Sequence, residues 1–257
     1  MCMLTFLAPG ASPDVDALHN GAERNPDGHG FAIVAENTLL VERGMNPDQM
    51  ITMFAAMREQ HPYGPALFHS RYGTHGTLDV ANCHPFRLGP DGRTVLAHNG
   101  ILPADVHPVG NDVRSDTRIA AEDFLPTEPF GSFGTRRNRD RLATWLGPHN
   151  KIAILTVNPR YRRNSYLINE EAGIWQDGIW YSNYDYLAYE EDDQIRYPAR
   201  WQGAENPYDL QKGMCFCPVC GTEHDPVLWY CGECGACPDC GRPQIYCPCW
   251  GTAMTGS

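Results

Sequence analysis

The sequence predicts an α+β domain of largely antiparallel sheets layered with helices, followed by a small cysteine-rich segment. Three observations carry that reading. Across residues 2–187, short apolar runs mix with helical periodicities but lack the regular strand–helix–strand spacing of a parallel sheet. The chain has 257 residues and is 42% hydrophobic, which suits one medium domain with a true core plus an appendage. Nine of the eleven cysteines fall between Cys215 and Cys249, and no secretory leader opens the chain. Such a cluster points to metal rather than disulfides.

Taken in order, residues 3–8 are apolar apart from Thr5 and read as a buried strand, broken by Pro9, Gly10 and Pro13. Ser12 or Asp14 can cap a short helix over Val15 to Leu18. The loop Asn25-Pro26-Asp27-Gly28-His29-Gly30 leads into strands over Phe31–Val34 and Thr38–Val41, joined by a turn at Glu36-Asn37. From Asp48 to Gln60, Met50, Ile51, Phe54 and Met57 fall on one helical face. Ala66-Leu67-Phe68 starts a strand, and Thr94 to Ala97 forms another that ends in His98-Asn99-Gly100. Ser115 caps a helix running from Asp116 to about Phe124. Arg137 to Leu146 reads as helix and Ile152 to Val157 as a buried strand. Ser165–Ile168, Gly173–Gln176 and Ile179–Tyr181 close the domain as strands or hairpins. Residues 188–212 hold Glu190-Glu191-Asp192-Asp193 and read as an acidic linker or wrapping loop; residues 213–251 form the cysteine-rich segment.

Charge narrows the function. A net charge of −11 argues against a general nucleic-acid binder. No apolar run is long enough to span a bilayer, and with no leader the expected location is the cytoplasm.

With Met1 removed, Cys2 carries a free α-amine beside its own thiol. The amine titrates near ~8 and can serve as base for the thiol nucleophile. Amide hydrolysis also needs an oxyanion hole and groups that recognise the substrate. Asn99-Gly100 offers a carboxamide and a backbone N–H; the same pair is equally a common hairpin turn. Arg71 can take a carboxylate with its fork, or be an ordinary surface cation. Asp116 can bind an ammonium, or only favour a helix N-terminus. His75, His84 and His98 read as structural hydrogen-bonders, and Cys83 as a packed thiol.

Together, Cys2, Arg71-Tyr72-Gly73-Thr74-His75-Gly76, Asn82-Cys83-His84-Pro85-Phe86, His98-Asn99-Gly100 and Ser115-Asp116-Thr117 resemble the class II glutamine amidotransferase domain of the N-terminal-nucleophile hydrolases, in order and rough spacing. The Asn25–Gly30 loop is similar to one in its smaller stand-alone members. The resemblance implies an αββα sandwich. It implies Cys2 as nucleophile on the glutamine γ-amide, and Asn99 and Gly100 as oxyanion donors. It further implies Arg71 for the α-carboxylate, Asp116 for the α-amino group, and Thr74, His75 and Gly76 as pocket lining. The class delivers ammonia to a synthase. The residues beyond the domain are too few for a synthase domain, so a separate synthase subunit is the expected partner, unless the protein is a stand-alone amidohydrolase.

In the tail, Cys217-x2-Cys220, Cys231-x2-Cys234, Cys237-x2-Cys240 and Cys247-x-Cys249 are four knuckles. Two knuckles make one tetrahedral thiolate site, so the eight cysteines suit two structural Zn2+ ions. Cys215 is spare, His224 is a substitute ligand, and the pairing is open. From 211 to 257 the net charge is −2, which disfavours phosphate binding. Protein docking is the expected role, with Trp229, Tyr230, Tyr246 and Trp250 as contact aromatics or as the segment's own small core. The opposing reading for the whole chain is an inactive amidotransferase-like fold used as a zinc-dependent binding module. A further alternative is an amidohydrolase for another small amide.

Overall fold

A computed structural model of the chain describes residues 2–90 and 92–188, and only the backbone of 215–216 and 223–224 beyond them. The chain divides into two units, Met1–Ala188 and Tyr189–Ser257. The acidic linker from 189 onward and the eight knuckle cysteines lie outside the described residues.

In the first unit the strands are β1 (Met3–Leu7), β2 (His29–Ala35), β3 (Thr38–Gly44), β4 (Ala66–Ser70), β5 (Phe86–Arg87), β6 (Thr94–Asn99), β7 (Lys151–Thr156), β8 (Ser165–Ile168), β9 (Ile174–Gln176) and β10 (Ile179–Tyr181). The helices are α1 (Val15–Arg24), α2 (Pro47–Gln60), α3 (Asp116–Ile119) and α4 (Arg136–Leu146). One sheet has the order β3-β2-β4-β1-β10-β9 and the other β5-β6-β7-β8. Every pairing in both is antiparallel.

Three apolar clusters define four layers. Met3, Leu7, Phe31, Ile33 and Phe68 of the larger sheet pack on Leu18 of α1 and Ile51 and Phe54 of α2. The opposite face of that sheet, with Leu4, Phe6, Ala32, Val34 and Leu67, meets Val95, Ala97, Ala153 and Leu155 of the smaller sheet. The far face of the smaller sheet, Leu96, Ile152 and Ile154, is covered by Ala120, Ala121, Leu142 and Leu146. The order is therefore helices, sheet, sheet, helices. It explains why β1 is apolar at nearly every position: alternate residues point into two different cores.

Several elements differ from the sequence expectation. The first helix does not stop at Leu18. Asp14 caps it through the Ala17 N–H at 3.0 Å, and it continues to Arg24 because Gly21 and Ala22 extend its buried face. A side chain at Gly21 would put a Cβ 2.2 Å from the Met3 sulfur, so its small size sets the approach of α1 to β1. The helix capped by Ser115 widens after Ile119 into a π turn over Ala120–Phe124. The short strand β5 was not expected. At the end of α2, Arg58 is buried and donates to the carbonyls of Ala8, Ala11, His61 and Gly64 at 2.6–3.0 Å. No helix among the described residues is long and apolar enough to cross a membrane.

Beyond the first unit the described backbone is one antiparallel pair, β11 (Cys215–Phe216) and β12 (Glu223–His224), with Cys215 opposite His224.

Candidate active site

Cys2 stands just before β1, at its N-terminal end. Antiparallel pairing of Met3 with Ser70 sets it beside the chain leaving β4. Its sulfur accepts the Tyr72 N–H at 3.3 Å and lies 3.5 Å from the Tyr72 carbonyl. Burial raises the thiol pKa, while the Tyr72 N–H and the charge of Arg71 pull it the other way. The Cys2 carbonyl accepts from Asn183 Nδ2 at 3.0 Å. Asn183 and Asn25 both donate to Asp185, at 3.3 and 3.0 Å, so the backbone of Cys2 is held by a polar network.

Arg71 is buried, not a surface cation. Its guanidinium donates to the carbonyls of Thr77 at 3.0 Å and His75 at 2.7 Å, which shapes the loop that carries Thr74, His75 and Gly76. A guanidinium has five N–H donors, so these two bonds leave capacity for a carboxylate. The Asn25–Gly30 loop docks on the same stretch: Gly73 N–H donates to Asp27 at 2.7 Å, and Arg71 N–H to the Gly28 carbonyl at 2.8 Å. Gly28 has φ +133°, and a Cβ there would lie 2.3 Å from the Cys83 sulfur. Cys83 itself is fully buried, with burial raising its pKa.

Asn99-Gly100 is not a hairpin turn. β6 ends at Asn99, and its partner β7 begins only at Lys151. Asn99 is buried and its amide donates to Ser182 Oγ at 2.8 Å. The same hydroxyl takes the Leu4 N–H at 2.9 Å. Asn99 Oδ1, also buried, has no partner among the described residues. Gly100 adopts φ +137°, and a Cβ would clash with the Asn150 carboxamide at 2.2 Å.

Asp116 is 5% exposed, at the start of α3. Its carboxylate accepts from Leu102 N–H at 2.9 Å and Thr117 N–H at 2.8 Å, and stands 3.9 Å from His75 Nδ1. His98 is pinned at both ring nitrogens, by Thr117 Oγ1 at 2.9 Å and Asn150 Oδ1 at 2.8 Å. His84 stacks against His69 with centroids 3.9 Å apart and has no partner on either nitrogen among the described residues. Burial holds His69 down to about 3 and His84 well below the usual imidazole range, so both are neutral.

Cys2, Arg71, Thr74, His75, Gly100 and Asp116 therefore line one cavity, brought there from four separate stretches of chain. Asn99 stands next to it through Gly100, and Gly76 packs on the backbone of 113–115. The free space is about 10 Å³, room for one water rather than an amino acid. A larger cavity of about 290 Å³ lies elsewhere, among Leu88, Phe130, Phe133 and Tyr161, with no thiol or imidazole in its wall. Ser182, Asn183 and His107 belong to no local motif, and only tertiary contact brings them in; Asp27 lies in the Asn25–Gly30 loop, whose resemblance assigned it no role.

No family model matches the sequence. Over 102 residues the chain is 31% identical to glutamine–fructose-6-phosphate aminotransferase (isomerizing) of Saccharomyces cerevisiae. That stretch is 34% of this chain and 13% of the yeast protein. Among solved structures, glutamine phosphoribosylpyrophosphate amidotransferase from B. subtilis, complexed with ADP and GMP, aligns with 70% of this chain. The alignment covers 41% of that chain at 20% identity and a TM-score of 0.42. The chain thus spans less than half the length of either protein.

Proposed function

We propose that this chain hydrolyses the γ-amide of L-glutamine as a class II amidotransferase domain, releasing ammonia for a separate synthase subunit. The observation that carries the proposal is the convergence of Cys2, Arg71, Gly100 and Asp116 on one cavity. A thiol nucleophile, a guanidinium for a carboxylate, an oxyanion-side amide and a carboxylate for an ammonium are the parts this reaction needs. The relationship of a 102-residue stretch to a glutamine-using aminotransferase supports the same substrate.

In this mechanism the Cys2 sulfur attacks the γ-carbonyl carbon while its α-amine accepts the thiol proton. Asn99 and Gly100 N–H hold the tetrahedral oxyanion. The amine returns the proton to the leaving nitrogen, the C–N bond breaks, and ammonia departs from a thioester. Water then attacks the thioester and releases glutamate. Arg71 and Asp116 hold the α-carboxylate and α-ammonium, with Thr74, His75 and Gly76 forming the wall. Because the cavity admits only a water-sized occupant, glutamine entry requires the 72–78 loop to move. Tyr72 and Leu78 on that loop are solvent-exposed.

For the tail, the proposal is two structural Zn2+ ions on Cys217, Cys220, Cys231, Cys234, Cys237, Cys240, Cys247 and Cys249, which rests on spacing alone. Metal analysis is expected to give about two zinc ions per chain, and disulfides in their place would overturn it. The catalytic reading is tested by glutamate release from wild type and Cys2→Ala, with N-terminal mass measured on both. Equal rates, or a retained Met1 in active protein, would sink it.

A further inference from the structure

At the wall of the same cavity, one ligand atom from each of His75, His107 and Asp116 lies within 4.8 Å of the other two. We propose that these three side chains bind a divalent transition-metal ion, of the kind imidazole prefers, and that this ion competes with the substrate's ammonium for Asp116. The competition, though not the metal site, rests on the glutamine reading above.

The donor set decides the class of ion. Two imidazoles and one carboxylate favour Zn2+, Ni2+ or Co2+ over Mg2+ or Ca2+, which take oxygen ligands. The geometry is close to closed. Two ligand atoms each about 2.1 Å from one ion stand about 3–3.5 Å apart. His75 Nδ1 and Asp116 Oδ2 stand 3.9 Å apart, too far for a hydrogen bond and within a small rotation of sharing an ion. His75 Nδ1 is buried with no hydrogen-bond partner among the described residues. The His75 and His107 rings lie side by side, centroids 4.4 Å apart and planes at 41°.

The backbone of one residue, Leu102, orients two of the three ligands. Leu102 N–H donates to Asp116 Oδ2 at 2.9 Å, and the Leu102 carbonyl accepts from His107 Nε2 at 2.6 Å. That second bond places the proton of neutral His107 on Nε2 and leaves Nδ1 with its lone pair. Asp116 is buried while both imidazoles are only partly buried, so an ion reaches the carboxylate from solvent and keeps water in its remaining positions. Since the same carboxylate serves the ammonium of the proposed substrate, a bound ion shuts the amidase.

The test is calorimetric titration of Ni2+ into the full chain loaded with only the about two equivalents of Zn2+ that the thiolates of its tail are expected to take first. Wild type, Cys2→Ala, His107→Gln and His75→Gln are compared. Gln at 107 can still donate to the Leu102 carbonyl but offers no imidazole. Wild type and Cys2→Ala are expected to take up one Ni2+ that both Gln variants bind at least tenfold more weakly. Equal uptake in wild type and either Gln variant of unchanged melting temperature would overturn the site; so would loss of the ion in Cys2→Ala, which would place it on the thiol. L-Glutamine added to Ni2+-loaded Cys2→Ala is expected to release the ion. Imidazole-dependent uptake that glutamine leaves untouched would confirm the metal site and refute Asp116 as the ammonium anchor.

Discussion

The amide of Asn99 and the hydroxyl of Ser182, 83 positions apart, meet at 2.8 Å inside the protein. As they stand, the hydroxyl accepts two N–H groups and the buried Asn99 Oδ1 has none. A half-turn of the amide changes the balance. Ser182 then donates its proton to Oδ1 and still accepts from Leu4, and the NH2 takes the position from which Oδ1 lacked a partner. That orientation presents a donor with nothing to bond until an oxyanion forms. Asn99→Ala is expected to lower kcat by about 10²–10³-fold with KM little changed. Ser182→Ala is expected to lower kcat less, again without moving KM, because it removes only the anchor of the amide. An increase in KM in place of the kcat loss would place Asn99 in ground-state binding instead.

Arg71 links the loop to the site, since its guanidinium is bonded to the carbonyls of both His75 and Thr77. Lysine keeps the charge but cannot reach both carbonyls and a substrate carboxylate with one ammonium. Arg71→Lys is expected to cost about 1–3 kcal/mol of stability, the scale of a buried polar group losing its partners. It is also expected to raise KM for glutamine well above tenfold. Thermal melting and steady-state kinetics on one preparation read both effects, and an unchanged KM would detach Arg71 from the substrate.

These residues show what could be read from the chain and what could not. The strand that follows Cys2, the helix capped by Ser115 and the strand ending at Asn99 each announce themselves through local apolar pattern or capping chemistry, and each is present. Arg71, Asn99 and Asp116 were legible because each sits inside a short motif. Ser182 and His107 were not. A serine after a three-residue strand, or a histidine between prolines in a loop, acquires its partner only when distant segments pack. α1 runs past the expected end at Leu18 for a related reason: Gly21, of low helix propensity by itself, is the residue that lets Met3 pack against the helix.

Arg58 is the sharpest case of a residue whose local reading misleads. On a helix rich in polar residues it looks like a solvated charge, but it is 1% exposed, and it joins α2 to the loop after β1 through the carbonyls of Ala8 and Ala11 and to the segment before β4 through those of His61 and Gly64. Burial lowers its pKa, and the four carbonyl bonds compensate that cost. Arg58→Ala leaves those carbonyls without donors and is expected to destabilise by about 1–3 kcal/mol for each carbonyl that water does not reach. Arg58→Lys, retaining a charge with fewer and shorter-reaching donors, is expected to recover only part of it. Denaturant unfolding of both variants checks the ranking; a loss below about 1 kcal/mol for Arg58→Ala would mean water replaces the guanidinium freely.

The buried histidines give the domain a defined acid limit. Burial lowers His29 to about 4 and His69 to about 3, and it lowers His84 and His98 as well. In the unfolded chain each titrates near ~6.5. Between that value and the folded one, the unfolded state holds protons that the folded state refuses, so stability rises with pH across the window. Full stability is present above ~6.5. It falls as the solution is acidified, by about 1.4 kcal/mol per pH unit for each histidine that stays neutral in the fold. The loss therefore begins well above the carboxylate range, and it levels off for His29 and His69 only near 4 and 3. Replacing His84, whose two nitrogens have no partner among the described residues beside His69 and Phe86, removes one such group. His84→Phe is expected to be at least as stable as wild type at pH 6 and to show a shallower decline toward pH 5, by about one proton's worth. Melting temperatures taken at half-unit steps from pH 8 to 4.5 measure the slope directly. A wild-type curve flat down to pH 5 would show that the folded protein takes up these protons without opening.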